Sequence, residues 1–394
     1  MPHLKVKKFN AISLPAEYEG IKYNFIASNI QHQDERLISV SAKDIDDFFL
    51  VVKEQNNKVL LKSDKTTRPA SIHTLHKALL GYAHLAELEV LSSNVPQNSH
   101  NPHLKEISAL KNIEFFADSF PTDKEVCIEV GFGSGRHLLY QAKRNPQKLY
   151  IGLEIHRPSI QQVLKQINIQ KLDNVMVLDY DARLFLEQVP SNIVGAIYVH
   201  FPVPWDKKPH RRIISKSFIA EAQRVLKVGG TLELRTDSEN YYAYSYETFM
   251  SFTKIDIEIK KNKDIAITSK YEDRWRKMEK NIYDIIMRND IDSPPLELQG
   301  DLSFEDRSFE PEELKNLHGK KIVTKECFVH FERIYVVDHN EDSSLIKISF
   351  GSFDRPEHLY LLLKDKKISY YPHMPLLSRA NLEAHQEIKK VLYG

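Results

Sequence analysis

The sequence predicts an α/β protein built on a doubly wound parallel sheet, flanked by a small β-rich N-terminal domain and a small α+β C-terminal domain. Three observations carry that expectation. Between about 105 and 290, short apolar strand-like runs alternate with helical stretches, the pattern of a parallel sheet covered on both faces. Across 1–95, short strands precede one helix, with Phe48–Lys53 and Lys58–Lys62 flanking Gln55-Asn56-Asn57 as a hairpin. Across 314–394, β runs at Arg333–Val337, Leu345–Phe350 and Leu359–Leu363 lead to a terminal helix from Asn381.

Composition limits the function classes. Hydrophobic residues make up 42% and charged residues 28% of the 394, which excludes disorder as the main state. Lys and Arg number 55 against 54 Asp and Glu, so a uniformly basic nucleic-acid binder is excluded and any such footprint is local. The cysteines are Cys127 and Cys327, too few and too far apart for a disulfide framework or a metal cluster, and they fit a reducing cytosol. The segment Met1–Lys8 lacks the apolar core of a signal peptide. No apolar run approaches the ~18 residues that span a bilayer. The expectation is a cytoplasmic protein with no membrane partner.

In chain order, Ser71 is a natural N-cap for a helix carrying Leu75, Leu79, Leu80 and Leu85. Residues 92–102, rich in Ser, Asn and Pro, read as a linker. Val126–Val130 is a strand that ends in a glycine loop, with a helix following through Arg144. Further strands fall at Leu149–Glu154, Val175–Leu178, Ala196–His200 and Thr231–Leu234, and a closing pair at Ile255–Ile259 and Tyr283–Met287. Asp292–Glu313, acidic and proline-bearing, reads as a solvated linker. No internal repeat or low-complexity tract is visible.

The loop Glu129-Val130-Gly131-Phe132-Gly133-Ser134-Gly135 joins the first strand of the sheet to a helix. Glycines allow a tight turn and close approach of backbone to a ligand. A dinucleotide fingerprint wants its third glycine one residue later, so that a pyrophosphate can sit on the helix end. Glu129 beside the loop suits an amino group better than a phosphate. Glu154 ends the second strand, where a carboxylate can take both ribose hydroxyls. Asp181-Ala182 follow the third strand, where an adenine ring would lie. A tight strand–helix turn without a ligand would explain the glycines but not the acids at two further strand ends. S-adenosylmethionine, with an amino group, a sulfonium and no phosphate, fits all of these features. The cofactor-binding set is therefore Glu129, Gly131, Gly133, Gly135, Glu154, Asp181 and Ala182.

After the fourth strand comes His200-Phe201-Pro202-Val203-Pro204-Trp205-Asp206-Lys207-Lys208-Pro209-His210-Arg211-Arg212. This resembles the F-x-D-P-W-x-K-x-x-H-x-K-R-R signature of bacterial tRNA (guanine-N7)-methyltransferases. The E-x-G-x-G-x-G loop at Glu129, I-G-x-E at Ile151–Glu154, D-A at Asp181-Ala182, T-D at Thr236-Asp237 and Ser269-Lys270-Tyr271-Glu272 are similar to that family's other motifs, in the same order. The resemblance spans roughly residues 110–290. It implies a class I, Rossmann-like methyltransferase fold that methylates N7 of the variable-loop guanine of tRNA. It further implies that Glu129, Glu154 and Asp181 hold the cofactor and that Lys207, Asp237 and the Ser269–Glu272 segment contact the substrate. The flanking domains are additions to that core. Two departures stand out: the D-P-W aspartate is Val203, and the basic stretch after His210 is two residues shorter.

Guanine N7 offers an in-plane lone pair and no proton, so methyl transfer to it needs no general base. It needs in-line placement, which supplies ~7–11 kcal/mol in well-aligned reactions. A carboxylate near the cationic product would add electrostatic stabilisation. With Val203 in the family position, the catalytic side chain is open, and Asp206 and Asp237 are the candidates for the missing charge. Basic windows at 203–230 and 260–280 flank this region, carrying Arg211 and Arg212 as phosphate contacts and Tyr271 or Trp275 as stacking platforms. His200 and His210 match no common metal spacing, so no metal is expected. Competing readings are an RNA-binding protein with little turnover and a methyltransferase acting on a small molecule or protein.

Overall fold

The computed structural model describes residues 2–43, 45–55, 58–69, 71–96, 109–267, 278, 280–309, 311–338 and 343–394. The chain divides into two compact units, Met1–His103 with Leu298–Gly394, and Leu104–Glu297.

From the N-terminus, the first unit takes β1 (His3–Val6), β2 (Ala16–Tyr18), β3 (Ile21–Asn29), β4 (Glu35–Ala42), β5 (Ile45–Gln55), β6 (Lys58–Ser63), α1 (Ile72–Leu85) and β7 (Val90–Ser93). The second unit takes β8 (Leu110–Lys111), α2 (Ile113–Asp118), β9 (Glu125–Val130), α3 (Arg136–Arg144), β10 (Lys148–Leu153), α4 (Arg157–Gln170), β11 (Val175–Leu178) and α5 (Ala182–Glu187). It continues through β12 (Val194–His200), α6 (Lys216–Val225), β13 (Leu226–Thr236), α7 (Glu239–Met250), β14 (Asp256–Lys261) and β15 (Tyr283–Arg288). The chain then returns to the first unit with α8 (Pro311–Leu317), β16 (Lys321–Val323), β17 (Phe328–Val337), β18 (Ser343–Gly351), β19 (Glu357–Lys364), β20 (Lys367–Tyr371) and α9 (Arg379–Tyr393).

The two ends of the chain, read from sequence as separate flanking domains, share one twelve-stranded sheet. Its order is β20-β19-β18-β17-β3-β4-β5-β6-β1-β7, with β2 and β16 paired to β3 and β17. The seam is the antiparallel pairing of β3 with β17, where Asn29, Ser28 and Ala27 face Tyr335, Val336 and Val337. Pairing across so long a stretch of chain leaves no local signal, so the sequence does not reveal it.

The halves on either side of that seam are copies of one plan. β3 buries Ile21, Tyr23, Ile26, Ala27 and Asn29, and β17 buries Val329, Phe331, Ile334, Tyr335 and Val337 at the same spacing. Each strand has a bulge at the same point, before Ile26 and after Phe331. Each half runs on as a four-stranded meander into a helix capped by a serine, Ser71 or Ser378, whose hydroxyl accepts an N–H at 3.2 Å. Ser28 and Val336 face each other where a local two-fold axis crosses the seam. α1 covers Tyr23, Ile26 and Ile38, while α9 covers the matching Phe331, Ile334 and Ile346. The opposite side of the sheet holds a third core drawn from both halves, with Phe49 and Tyr360 edge to face at 4.9 Å.

In the second unit the sheet runs β14-β15-β13-β12-β9-β10-β11-β8. All pairings are parallel except those of β15, which is antiparallel to β13 and β14. Neighbouring residues such as Cys127 with Ile128 and Tyr150 with Ile151 are all buried, so both faces are covered. On one face α3 and α4 supply Leu138, Ala142, Val163 and Leu164 to a core with Cys127, Tyr150 and Val177. The chain reverses its direction of strand addition beside β9, and the crevice at the strands' carboxyl ends is the expected ligand position.

Two linkers differ from the sequence reading. Ser92 and Ser93 belong to β7, and residues 97–102 of that linker lie outside the described residues. The acidic segment 292–313 is not simply solvated. Leu302 is buried and Leu298, Phe304 and Phe309 pack into the α9 core. His385 Nε2 lies 2.9 Å from the Ser303 carbonyl and Tyr393 donates to the Glu305 carbonyl at 2.7 Å. Apolar residues alternate with the acids there, so one side of the segment is buried while the charges stay in water. Asn56 and Asn57 of the hairpin turn lie outside the described residues, but Gln55 and Lys58 pair across it.

Candidate active site

β9 ends at Val130, and the loop that follows turns through Gly131 at φ +68 and Gly135 at φ +69, where side-chain-bearing residues are strained. The two glycines serve different purposes. A Cβ on Gly135 would lie 2.3 Å from Val163 Cγ2, so this glycine brings α3 against α4. A Cβ on Gly131 would meet nothing within 4 Å, so that side of the loop is open to a ligand. The cavity there is lined by Glu129, Gly131, Gly133, His137, His200 and Ile265, among others.

Glu129 is 3% exposed. Its Oε2 lies 2.8 Å from Nδ1 of His137, the second residue of α3, while no described residue bonds to Oε1. A nearly buried carboxylate with one oxygen unengaged beside open glycine backbone suits an ammonium group, and these residues fit the amino-acid end of S-adenosylmethionine. Glu154 follows β10 and braces the loop: Oε2 accepts the Gly133 N–H at 2.9 Å, and Oε1 accepts those of Ile155 and His156 at 2.8 and 2.9 Å. Asp181 caps α5, whose first residue is Ala182, and takes the Arg183 backbone N–H at 2.9 Å and its guanidinium at 3.0 and 2.7 Å. Both acids stand at consecutive strand ends as the sequence reading expects, and each already has partners within the chain.

Beyond β12 the backbone is strained. Phe201 and Trp205 adopt φ +51 and +46, which cost bulky residues ~1–3 kcal/mol each and mark a loop held for a purpose. Val203, between them, is 60% exposed and does not line the cavity. Trp205 is partly exposed, with the Arg211 guanidinium 5.1 Å from its ring centre. The two arginines read from sequence as RNA-facing part company. Arg211 is exposed, but Arg212 turns inward, donating to the Pro204 carbonyl at 2.7 Å and to Asp206 at 3.3 Å over Tyr241 and Tyr244. Its apolar surroundings and backbone partner take it out of reach of a phosphate. Arg224 is likewise buried, bonded to the Leu186 and Val189 carbonyls, and Lys227 pairs with Glu125. Lys207, Lys208, Arg211 and Lys216 are the exposed cations of that window. Asp237 pairs with Lys280 at 3.0 Å. Ser269, Glu272, Tyr271 and Trp275 lie outside the described residues.

The structure adds a cluster that the sequence reading did not assemble. His200 Nε2 is 2.7 Å from Glu233 Oε1 on β13, and the His137 and His200 rings are 4.6 Å apart. Arg235, opposite His200 in register, pairs with Asp284 at 2.6 and 2.7 Å. The legible signal is a polar residue set against an apolar run: Glu129 within Val126–Val130, Glu233 between Leu232 and Leu234, and His200 at the end of β12.

Burial alone would lower the imidazole pKa of His137, but the charge and hydrogen bond of Glu129 outweigh it and hold the pKa above its ordinary value. A histidine raised in the folded state contributes stability that is complete below its unfolded pKa of about 6.5 and is lost as pH climbs through the folded value. The melting temperature of the wild type should therefore exceed that of His137→Asn most at about pH 6, with the gap narrowing as pH rises past neutrality. A gap that stayed constant across that range would mean that the imidazolium is not held.

The strand order, the glycine loop after β9 and the acids at the ends of β10 and β11 define a class I S-adenosylmethionine-dependent methyltransferase. Residues 123–285 match the family described as "Putative methyltransferase". The chain is 41% identical to a tRNA (guanine-N(7)-)-methyltransferase of Wolinella succinogenes, covering 100% of both chains. It is 38% identical to proteins of the same name from Campylobacter fetus and Helicobacter pylori, over 100% of this chain and 99% and 97% of theirs. The chain belongs to the tRNA (guanine-N(7)-)-methyltransferase family. It is also similar to a solved structure of the 16S rRNA methyltransferase KamB, at 13% identity and a TM-score of 0.34, over 45% of this chain and 92% of that one. Among the described residues, no helix is long and apolar enough to cross a membrane, and no three metal-ligating side chains gather at one point.

Proposed function

We propose that this chain works in the cytoplasm and transfers a methyl group from S-adenosylmethionine to N7 of the variable-loop guanine of tRNA. The observation that carries this reading is the match over the full length of relatives named for that activity. The site supports it. Glu129 receives the cofactor's amino group at Oε1, the backbone at Gly131 and Gly133 gives it room, Gly135 sets the turn into α3 beside it, and Glu154, Asp181 and Ala182 face its adenosine. Lys207, Lys208 and Arg211 stand exposed on the strained loop after β12 for phosphate contact. Asp237, with Ser269 and Glu272, contacts the substrate.

When bound, the cofactor supplies an electrophilic methyl on a sulfonium. The chain's own work is to fix the guanine edge in line and to exclude water. No residue needs to accept a proton, because N7 attacks with a lone pair. Arg212 holds the loop from inside rather than touching RNA.

Purified protein incubated with labelled S-adenosylmethionine and unmodified tRNA transcript should yield label in 7-methylguanosine after digestion to nucleosides. Binding of both partners with no labelled nucleoside would favour an RNA-binding role instead.

A further inference from the structure

The family signature places an aspartate where this chain has Val203, and the two nearby acids are otherwise engaged. Asp206 lies on the surface, paired with Arg212, and Asp237 is paired with Lys280. Charge nonetheless has to be met: as methyl moves from sulfur to N7, the S–CH3 electron pair stays on sulfur, the N7 lone pair forms the new bond, and the positive charge passes to the base. We propose that the Glu233–His200 pair supplies the negative charge missing at Val203, acting on the reacting guanine through the imidazole of His200. The inference rests on reading the chain as a guanine-N7 methyltransferase.

Four observations converge on it. His200 is the last residue of β12, next to the strained loop, and lines the same cavity as Glu129 and Gly131. Glu233 faces Tyr198 in register, so its carboxylate lies diagonally beside His200, and it meets Nε2 at 2.7 Å. That contact fixes the ring: Nε2–H donates to the carboxylate, and no described residue bonds to Nδ1. Finally, two of the charged groups nearby are paired elsewhere. Arg235 is paired with Asp284, and His137 with Glu129, which leaves Glu233 as the acid that meets His200. Burial pushes the Glu233 carboxyl up, but the His200 hydrogen bond and the charges of His200, His137 and Lys263 outweigh it, so it stays ionised.

His200 is thereby a catalytic residue that touches the base, and Glu233 a positioning residue that acts through it. Fixed charge aimed at where charge develops changes rate by about 10²–10³ when a single group is removed. Glu233→Gln keeps an acceptor for Nε2–H and removes only the charge. Single-turnover methyl transfer, at saturating cofactor and tRNA transcript, should fall by about 10²-fold with the dissociation constant for S-adenosylmethionine within about two-fold of wild type. Adding Val203→Asp to Glu233→Gln should recover at least about ten-fold of the rate, a rescue that a merely structural role for Glu233 would not allow.

His200→Phe gives a second route should Glu233→Gln misfold. It should lower the same rate by a similar factor, and combining it with Glu233→Gln should add almost nothing. A wild-type rate in either variant, a loss confined to cofactor affinity, or a double variant that Val203→Asp leaves unrescued would each overturn the proposal. A wild-type protein that makes no 7-methylguanosine would instead overturn the functional reading beneath it.

Discussion

Replacing Asp284 by alanine should cost the methyltransferase unit about 3–5 kcal/mol of stability, enough to lower its unfolding midpoint in urea by a molar or more. Arg235 and Asp284 face each other in register on β13 and β15, with side chains 1% and 2% exposed. Both carboxylate oxygens engage Nη1, and Nη2 reaches the Lys263 carbonyl at 3.2 Å. Removing the carboxylate leaves a guanidinium buried without the acid that faces it, which is the expensive half of a broken pair. The double change Arg235→Met with Asp284→Leu should recover most of the loss, because it removes both charges and keeps the volume. A midpoint for Asp284→Ala within experimental error of wild type would show that water reaches Arg235.

Glu129→Gln should weaken S-adenosylmethionine binding by roughly 10–150-fold, the ~1.5–3 kcal/mol of a hydrogen bond to a charged group. The substitution keeps the shape of the side chain and an acceptor for His137 Nδ1–H, and it loses the negative charge that faces an ammonium. Calorimetric titration reads the effect directly, and the tRNA affinity should not move. Binding within three-fold of wild type would place the cofactor's amino group elsewhere in the cavity.

How far the sequence reaches is clearest at the ends of strands. The glycine loop, Glu154 and Asp181 are legible because each is fixed by local grammar: a strand, a turn and a helix start within a few residues. The Glu233–His200 contact is not local. It needs β12 and β13 in register, and nothing within either segment announces the partner. The same limit explains Arg212, which by composition looks like one more surface cation until Tyr241 and Tyr244 of α7 close over it. It also explains the matched halves of the twelve-stranded sheet. Their likeness lies in burial order, as in Tyr23 against Phe331 and Ile26 against Ile334, while few residues are identical across the two halves.

The β3–β17 seam sets a timetable for the chain as it leaves the ribosome. β3 is made roughly 300 residues before its partner, a wait of some 15–60 s at ~5–20 residues per second. Until then β2 covers only the Ile21–Tyr23 end of β3, and the Ala27–Asn29 end stays an open edge, the kind of strand that recruits wrong neighbours. The segment 104–297 is synthesised within that interval and holds its own cores, so the catalytic unit is complete before the sheet that joins both chain ends can close. A chain stopped short of β17 would therefore carry a finished catalyst on an unfinished, adhesive base.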